Sequence, residues 1–164
     1  MKRNEFGAEL DRNGYAASIM QPARTVCCYL CGKPGHIYDM DRHEPWGASN
    51  RQKSKEYGLW VNLHHVGCHE GPGSVHGGDS ASARQLRKDA QTAAMLRYGW
   101  SREKWIEEFG KSELTEEEAA ELLMPVKQMA RRHGAGSAAR ELRPDPAPAP
   151  RSAFRLIDGP DLPF

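Results

Sequence analysis

Between Asp79 and Met129 apolar residues recur every three or four positions, whereas upstream they come in short runs broken by glycine and proline. Asp79 or Ser80 can cap a helix in which Leu86, Ala90, Ala93, Ala94 and Met95 share a face, and Gly99 closes it. Ser101 caps a second, shorter helix carrying Trp105, Ile106 and Phe109 and ended by Gly110. Thr115 and Glu118 form a capping box that opens a third, with Ala119, Leu122, Leu123, Val126 and Met129 at helical spacing. Pro125 is expected to kink this helix or end its first half. Upstream, Val26 to Leu30 and Leu59 to Leu63 are β-prone runs bounded by turn residues, which predicts two short strands. Residues 1–24 are polar apart from Ser18-Ile19-Met20 and read as an arm able to add a strand. After Gly134 the composition turns to Arg, Ala, Pro and Gly, as in a disordered linker, and apolar residues return only at the tip, Phe154 to Phe164.

Composition narrows this picture. The chain has 164 residues, 38% of them hydrophobic, with Gly 16 and Pro 11. Its mean hydropathy is −0.75. One modest α+β domain with an appended tail fits those numbers better than two full cores. No stretch approaches the roughly 18–20 apolar residues of a membrane span, and MKRNEFGAEL lacks an apolar signal core, so the expected location is the cytoplasm. A net charge of +1 supplies no whole-molecule pull toward nucleic acid, and any such affinity must be local.

The chemistry is concentrated. All four cysteines (Cys27, Cys28, Cys31, Cys68) and every histidine except His133 lie between positions 27 and 76. Cysteine and histidine clustered together read as metal binding rather than as a disulfide framework. Cys28-x2-Cys31 and His65-x2-Cys68 each have the spacing of a knuckle that aims two side chains at one tetrahedral ion, and this donor mix suits structural zinc. His64 can replace His65 and Cys27 can replace Cys28, each being adjacent. Four ligands leave His43, Glu44, His69 and His76 over. Plain structural roles can absorb one or two of them, and a second, open cation site would use them better.

The ordered set Cys28-x2-Cys31, Asp41-Arg42-His43-Glu44-Pro45-Trp46-Gly47, Asn50-Arg51-x-Lys53-Ser54-x3-Gly58-Leu59-Trp60-Val61, His64-His65-x2-Cys68-His69 and Ser74-Val75-His76 resembles the HNH (ββα-metal) endonucleases, most of all the small phage and prophage type. The similarity continues through Gln91, Ala94, Tyr98-Gly99-Trp100 and Phe109-Gly110-Lys111 and spans roughly residues 14–114. The resemblance implies a zinc-stapled ββα core over residues 25–114, followed by a helical extension over 115–133 and the tail over 134–164. It implies metal-dependent hydrolysis of DNA, with Mg²⁺, Mn²⁺ or a similar divalent cation beside the structural zinc. Carried onto this chain, His43 is the base or first ligand, Glu44 its partner, His69 and His76 are ligands, and Asn50 or Asn62 braces the histidine. Arg42 stands where the family has an acidic residue or histidine, so His43 as ligand with Glu44 as base is the other assignment. The competing class is a non-catalytic zinc module that binds nucleic acid or protein.

Cations for phosphates are available in the loop from Arg42 to Lys55, namely Arg42, Arg51, Lys53 and Lys55. Asn50-Arg51 can equally be turn chemistry, His76 a solvated loop histidine, and Trp46 and Trp60 packing anchors. The terminal Asp158-Gly159-Pro160-Asp161-Leu162-Pro163-Phe164 resembles the acidic Pro-Phe tip of bacterial single-stranded-DNA-binding proteins, which implies docking on a host replication or repair protein.

Overall fold

Two four-residue strands, β1 (Met40–His43) and β2 (Val61–His64), pair antiparallel in the computed structural model, which describes residues 2–22 and 26–124. The register sets Met40 against His64, Asp41 against Leu63, Arg42 against Asn62 and His43 against Val61. Side chains alternate faces along a strand, and directly paired residues share one. Asp41 and His43 therefore share a face with the fully buried Leu63 and Val61, while Met40, Arg42, Asn62 and His64 occupy the other.

The first strand is not where the β-prone run predicts it. Val26 to Leu30 instead forms a tight knuckle, in which Cys27 bridges Pro34, the Cys28 N–H donates to Lys33 O and the Gly32 N–H to Cys28 O. Gly32 turns it at φ +68°, a conformation that glycine adopts without steric penalty. The strand is Met40-Asp41-Arg42-His43, too polar for hydropathy to mark. In the N-terminal arm the expected strand reduces to a single bridge between Arg3 and Glu9. The connection between β1 and β2 carries a helix that periodicity did not predict, α1 (Arg51–Glu56).

The later helices follow their caps. Helix α2 (Ser80–Tyr98) starts on the Asp79 carboxylate, which accepts from Ser82 N–H, and ends on Gly99 at φ 68°. Helix α3 (Arg102–Phe109) is capped by Ser101 and closed by Gly110, and α4 (Glu116–Leu122) opens on the Thr115–Glu118 capping box. Pro125, Val126, Met129, the linker and the C-terminal tip lie outside the described residues. The result is a small α+β fold with a two-stranded sheet and, among the described residues, four α-helices. None of these helices is long and apolar enough to cross a membrane.

Two apolar clusters hold these elements. The larger joins the segment after α1 to α2, α3 and α4 through Tyr57, Leu59, Met95, Trp105, Phe109 and Ala119, so the helix after Thr115 packs on the same core. Trp105 and Phe109 stack at 4.1 Å, and Trp46 meets both edge-on. Burying each such ring contributes roughly 2–3 kcal/mol. Trp46 also donates its indole N–H to Arg87 O, and Ser54 Oγ donates to Trp46 O, which pins the segment after β1 onto α2. The smaller cluster, Cys28, Val61, Leu63 and Leu86, lies under the sheet beside the cysteine knuckle. Buried Gln91 joins α2 to the turn before α4, its amide donating to Ser112 Oγ and its carbonyl accepting from the Glu113 and Leu114 N–H groups.

Candidate metal centres

Cys28, Cys31, His64 and Cys68 come together, with ligand atoms all within 4.8 Å of one another. The knuckle presents the first two. His64 arrives from the end of β2, and Cys68 from the turn in which His69 N–H donates to His64 O. His64 Nδ1 is 3.3 Å from Cys31 Sγ, while its Nε2 faces Pro34 O at 3.3 Å, the outer contact that orients a ligating imidazole. All four cysteines are free thiols. Burial opposes charge on Cys28, but the backbone N–H groups of Cys31, His64 and Leu30 outweigh it and bring the thiol down to about 7. Burial and the neighbouring Cys28 and Cys31 push Cys68 up to about 12. Three sulfurs and one imidazole are a tetrahedral donor set, and this group can hold a metal ion such as zinc.

The fourth member of this group is His64 rather than His65. In β2, His64 pairs with Met40 at the end of the ladder, and the knuckle is bonded to this strand, its Tyr29 N–H donating to Asn62 O, which brings His64 to Cys31. His65 lies one residue past the strand, where its N–H donates to Asp39 O and its Nδ1 sits 2.6 Å from Asp41 Oδ2. Cys27 stays outside the group, and its carbonyl accepts from Gln21 Nε2.

A second group forms on the Asp41–His43 face of the sheet. His43, His69 and His76 are brought together, with ring centroids 4.7–5.2 Å apart and His69 Nε2 at 3.2 Å from His76 Nε2. His76 reaches it because the glycine loop is clamped to the neighbouring turn, Val75 N–H donating to Cys68 O and His76 N–H to His69 O. A Cβ on Gly77 would fall 1.7 Å from Gly71 O, so this loop closes only around glycine. Behind the group, Asp41 Oδ2 lies 2.7 Å from His69 Nδ1. Burial opposes charge on Asp41, yet the hydrogen bonds from His65 and His69 prevail and hold its carboxyl below the usual range. His43 is 8% exposed. Burial, reinforced by the charges of His69, His76, Arg51 and Arg87, pushes it down to about 4. It is therefore a neutral imidazole at neutral pH, with a lone pair to offer.

Glu44 follows directly and is 6% exposed. Its Oε1 accepts from the Tyr15 hydroxyl and its Oε2 from Arg51 Nε at 3.2 Å. Burial and this contact with Glu44 raise Tyr15 well above the ordinary phenol range, so it remains a donor. The sequence alone gives neither Tyr15 nor Asp41 a role. Asp41 had a local signal, since i, i+2 in a strand shares a face with His43. Tyr15 had none, because it comes from the distant arm.

The other expected residues have structural partners. Arg42 lies on the opposite sheet face, bonded to Asp11 at 2.7 Å and held over the Tyr15 and Trp60 rings at 4.7 and 4.6 Å. Lys53 binds the carboxylate and carbonyl of Glu108, and Lys55 sits over Tyr15 at 4.6 Å. Asn50 does not brace a histidine; its Nδ2 donates to Phe109 O at 3.1 Å and ties the loop to the end of α3. Asn62 pairs with Arg42, on the face away from His43. Of the four loop cations, Arg51 alone touches the buried carboxylate beside the histidines, with 67% of its side chain exposed.

Compared with family models, with curated proteins and with solved structures, the chain gives no match, so what these centres can do is read from their own geometry.

Proposed function

We propose that this chain is a metal-dependent endonuclease of the HNH (ββα-metal) type, phage or prophage related, that hydrolyses DNA phosphodiester bonds. One observation carries the reading: His43, His69 and His76 form a three-imidazole group beside a buried carboxylate, separate from the Cys28/Cys31/His64/Cys68 group. A structural station needs four closed ligands, whereas hydrolytic sites keep three and leave positions for water and a substrate oxygen. Neutral imidazoles suit a borderline divalent ion such as Ni²⁺ or Zn²⁺, and less well Mg²⁺ or Mn²⁺, which prefer oxygen. A cation there supplies Lewis-acid stabilisation of charge developing on the phosphate.

The remaining roles belong to side chains. His43, neutral and inside the imidazole group, is a ligand in this reading, which leaves Glu44 to take a proton from water. Tyr15 and Arg51 each hold one oxygen of Glu44, fixing its plane while lone pairs remain on both. Asp41 fixes the His69 ring with Nδ1 turned outward and Nε2 facing the group. Arg51, half free of Glu44, is the cation best placed to meet a phosphate.

The second reading, a non-catalytic zinc module for nucleic acid or protein, draws on Arg42, Arg51 and Lys53, each already bonded to a carboxylate of the chain. Supercoiled-plasmid relaxation with Mg²⁺, Mn²⁺ or Ni²⁺ separates the two. The nuclease reading expects nicking by wild type and its loss in His43→Ala and Glu44→Gln, with the zinc content of the cysteine group unchanged. A wild type inert with every metal, yet zinc-loaded and able to shift DNA, selects the module. A host partner for the C-terminal tip remains part of the proposal; deleting Leu162 to Phe164 should abolish capture of replication or repair enzymes and spare nicking.

A further inference from the structure

We propose that Asp41, His65 and His69 form another cation position, one that competes with the three-histidine group for the His69 ring. This inference rests on the His43/His69/His76 group described above and is independent of DNA cleavage. Asp41 Oδ2 lies 2.6 Å from His65 Nδ1 and 2.7 Å from His69 Nδ1. The three ligand atoms lie within 4.8 Å of one another, and His65 belongs to neither of the other two metal-competent groups. Its side chain is 59% exposed, so an ion reaches the position from solvent. A carboxylate and two imidazoles, with water completing the shell, are a donor set for Zn²⁺, Co²⁺ or Mn²⁺.

The competition follows from the chemistry of one ring. A neutral imidazole has one N–H and one lone pair. With the proton on Nδ1, donated to Asp41, the Nε2 lone pair faces His43 and His76. With the proton on Nε2, the Nδ1 lone pair joins Asp41 and His65, and His65 likewise carries its proton on Nε2. Starting from neutral rings, no net proton is gained or lost, because each only changes tautomer; a ring that starts as imidazolium gives its second proton to solvent when the metal binds. His69 cannot serve both positions without ionising to imidazolate, so filling the outer one withdraws a ligand from the inner one. Excess metal then silences the three-histidine group through His65, a residue that contributes nothing to it.

Imidazole ¹⁵N correlation spectra of the full chain, labelled on histidine and loaded with one equivalent of zinc at the cysteine group, test this as further Zn²⁺ is added. The expected result is movement of the His65 nitrogens and a change of the metal-bearing nitrogen of His69 from Nε2 to Nδ1. In His65→Ala the metal remains on Nε2 throughout. The proposal is overturned if His65 does not move at ten equivalents, if His69 makes the same change in His65→Ala, or if His69 carries metal on both nitrogens together. Because no DNA is present, none of these outcomes depends on nuclease activity. In the plasmid-nicking assay, His65→Ala shifts the inhibiting zinc concentration upward by tenfold or more.

Discussion

One peptide unit separates His64 from His65, and it changes what each can bind. His64 ends β2 and turns to the cysteine knuckle, whereas His65 has left the strand and faces Asp41. His64→Ala should weaken zinc binding by at least the roughly 10–100-fold that loss of an orienting partner causes. His65→Ala should leave the tight zinc of the cysteine group unchanged. Competition with a chromogenic chelator reads both, and equal losses would return His65 to the ligand set. Spacing alone could not choose between neighbours, because a sequence motif counts residues while the ion responds to strand face. Cys28, Cys31 and Cys68 were legible for the complementary reason: two thiols three positions apart in a glycine turn suit one tetrahedral ion, whichever face of the sheet lies beside them. Asn50 shows the opposite failure, since a donor that caps the end of α3 looks, in sequence, like one that braces a histidine.

At the scale of elements, the helices were readable because their ends are chemical. Asp79, Gly99, Ser101, Gly110 and the Thr115–Glu118 pair all terminate helices where their side chains or φ angles require. Thr115→Ala should cost about 1 kcal/mol, read as a lower urea midpoint. Strand β1 was not readable, since Asp41, Arg42 and His43 are placed by the sheet and not by hydropathy. Between α2 and α4, Glu113 carries a pH dependence of its own. Burial opposes its charge, but Arg87 and Lys111 prevail and hold its carboxyl below the usual range. A depressed folded-state pKa adds stability above the unfolded carboxylate value and loses it as pH falls through the folded one. Glu113→Gln should thus be less stable than wild type by about 1 kcal/mol at pH 7, with the gap closing below about pH 4. A gap that persists in acid would assign the effect to packing. Gly58 supports the arm: at φ +69°, a Cβ there would lie 2.3 Å from Ala17 O, where Ile19 N–H docks on Gly58 O. Gly58→Ala should cost more than about 1 kcal/mol and release the segment that carries Tyr15 to Glu44.

Across the whole molecule the two apolar clusters are unequal. The helical one has its own aromatic core, whereas the cluster around Cys28 and Leu63 is small and borders the knuckle. Metal at the cysteine group is expected to supply what that smaller cluster lacks, since binding energy at a structural site is folding energy. Stripping it with a strong chelator should lower Tm, by roughly 3–4 °C for each kcal/mol lost in a domain of this size, and expose the sheet end first. Amide exchange should rise in residues 26–43 and 61–76 before it rises in α2 and α3. Uniform exchange would mean that the clusters unfold as one unit. Composition pointed to a portion rich in metal-competent side chains; the position of the seam between the two clusters required the fold.

Strand β1 deals its residues alternately, Asp41 and His43 to the imidazole group, Met40 and Arg42 to packing and the aromatic clasp. The site is therefore stored as a phase as well as a set of letters. A substitution changes one letter, but a single-residue insertion before Asp41 that left the pairing ladder in place would deliver the carboxylate and histidine to the wrong side of the sheet and the guanidinium to the right one. Within these four residues, drift in length is more dangerous to the chemistry than drift in identity.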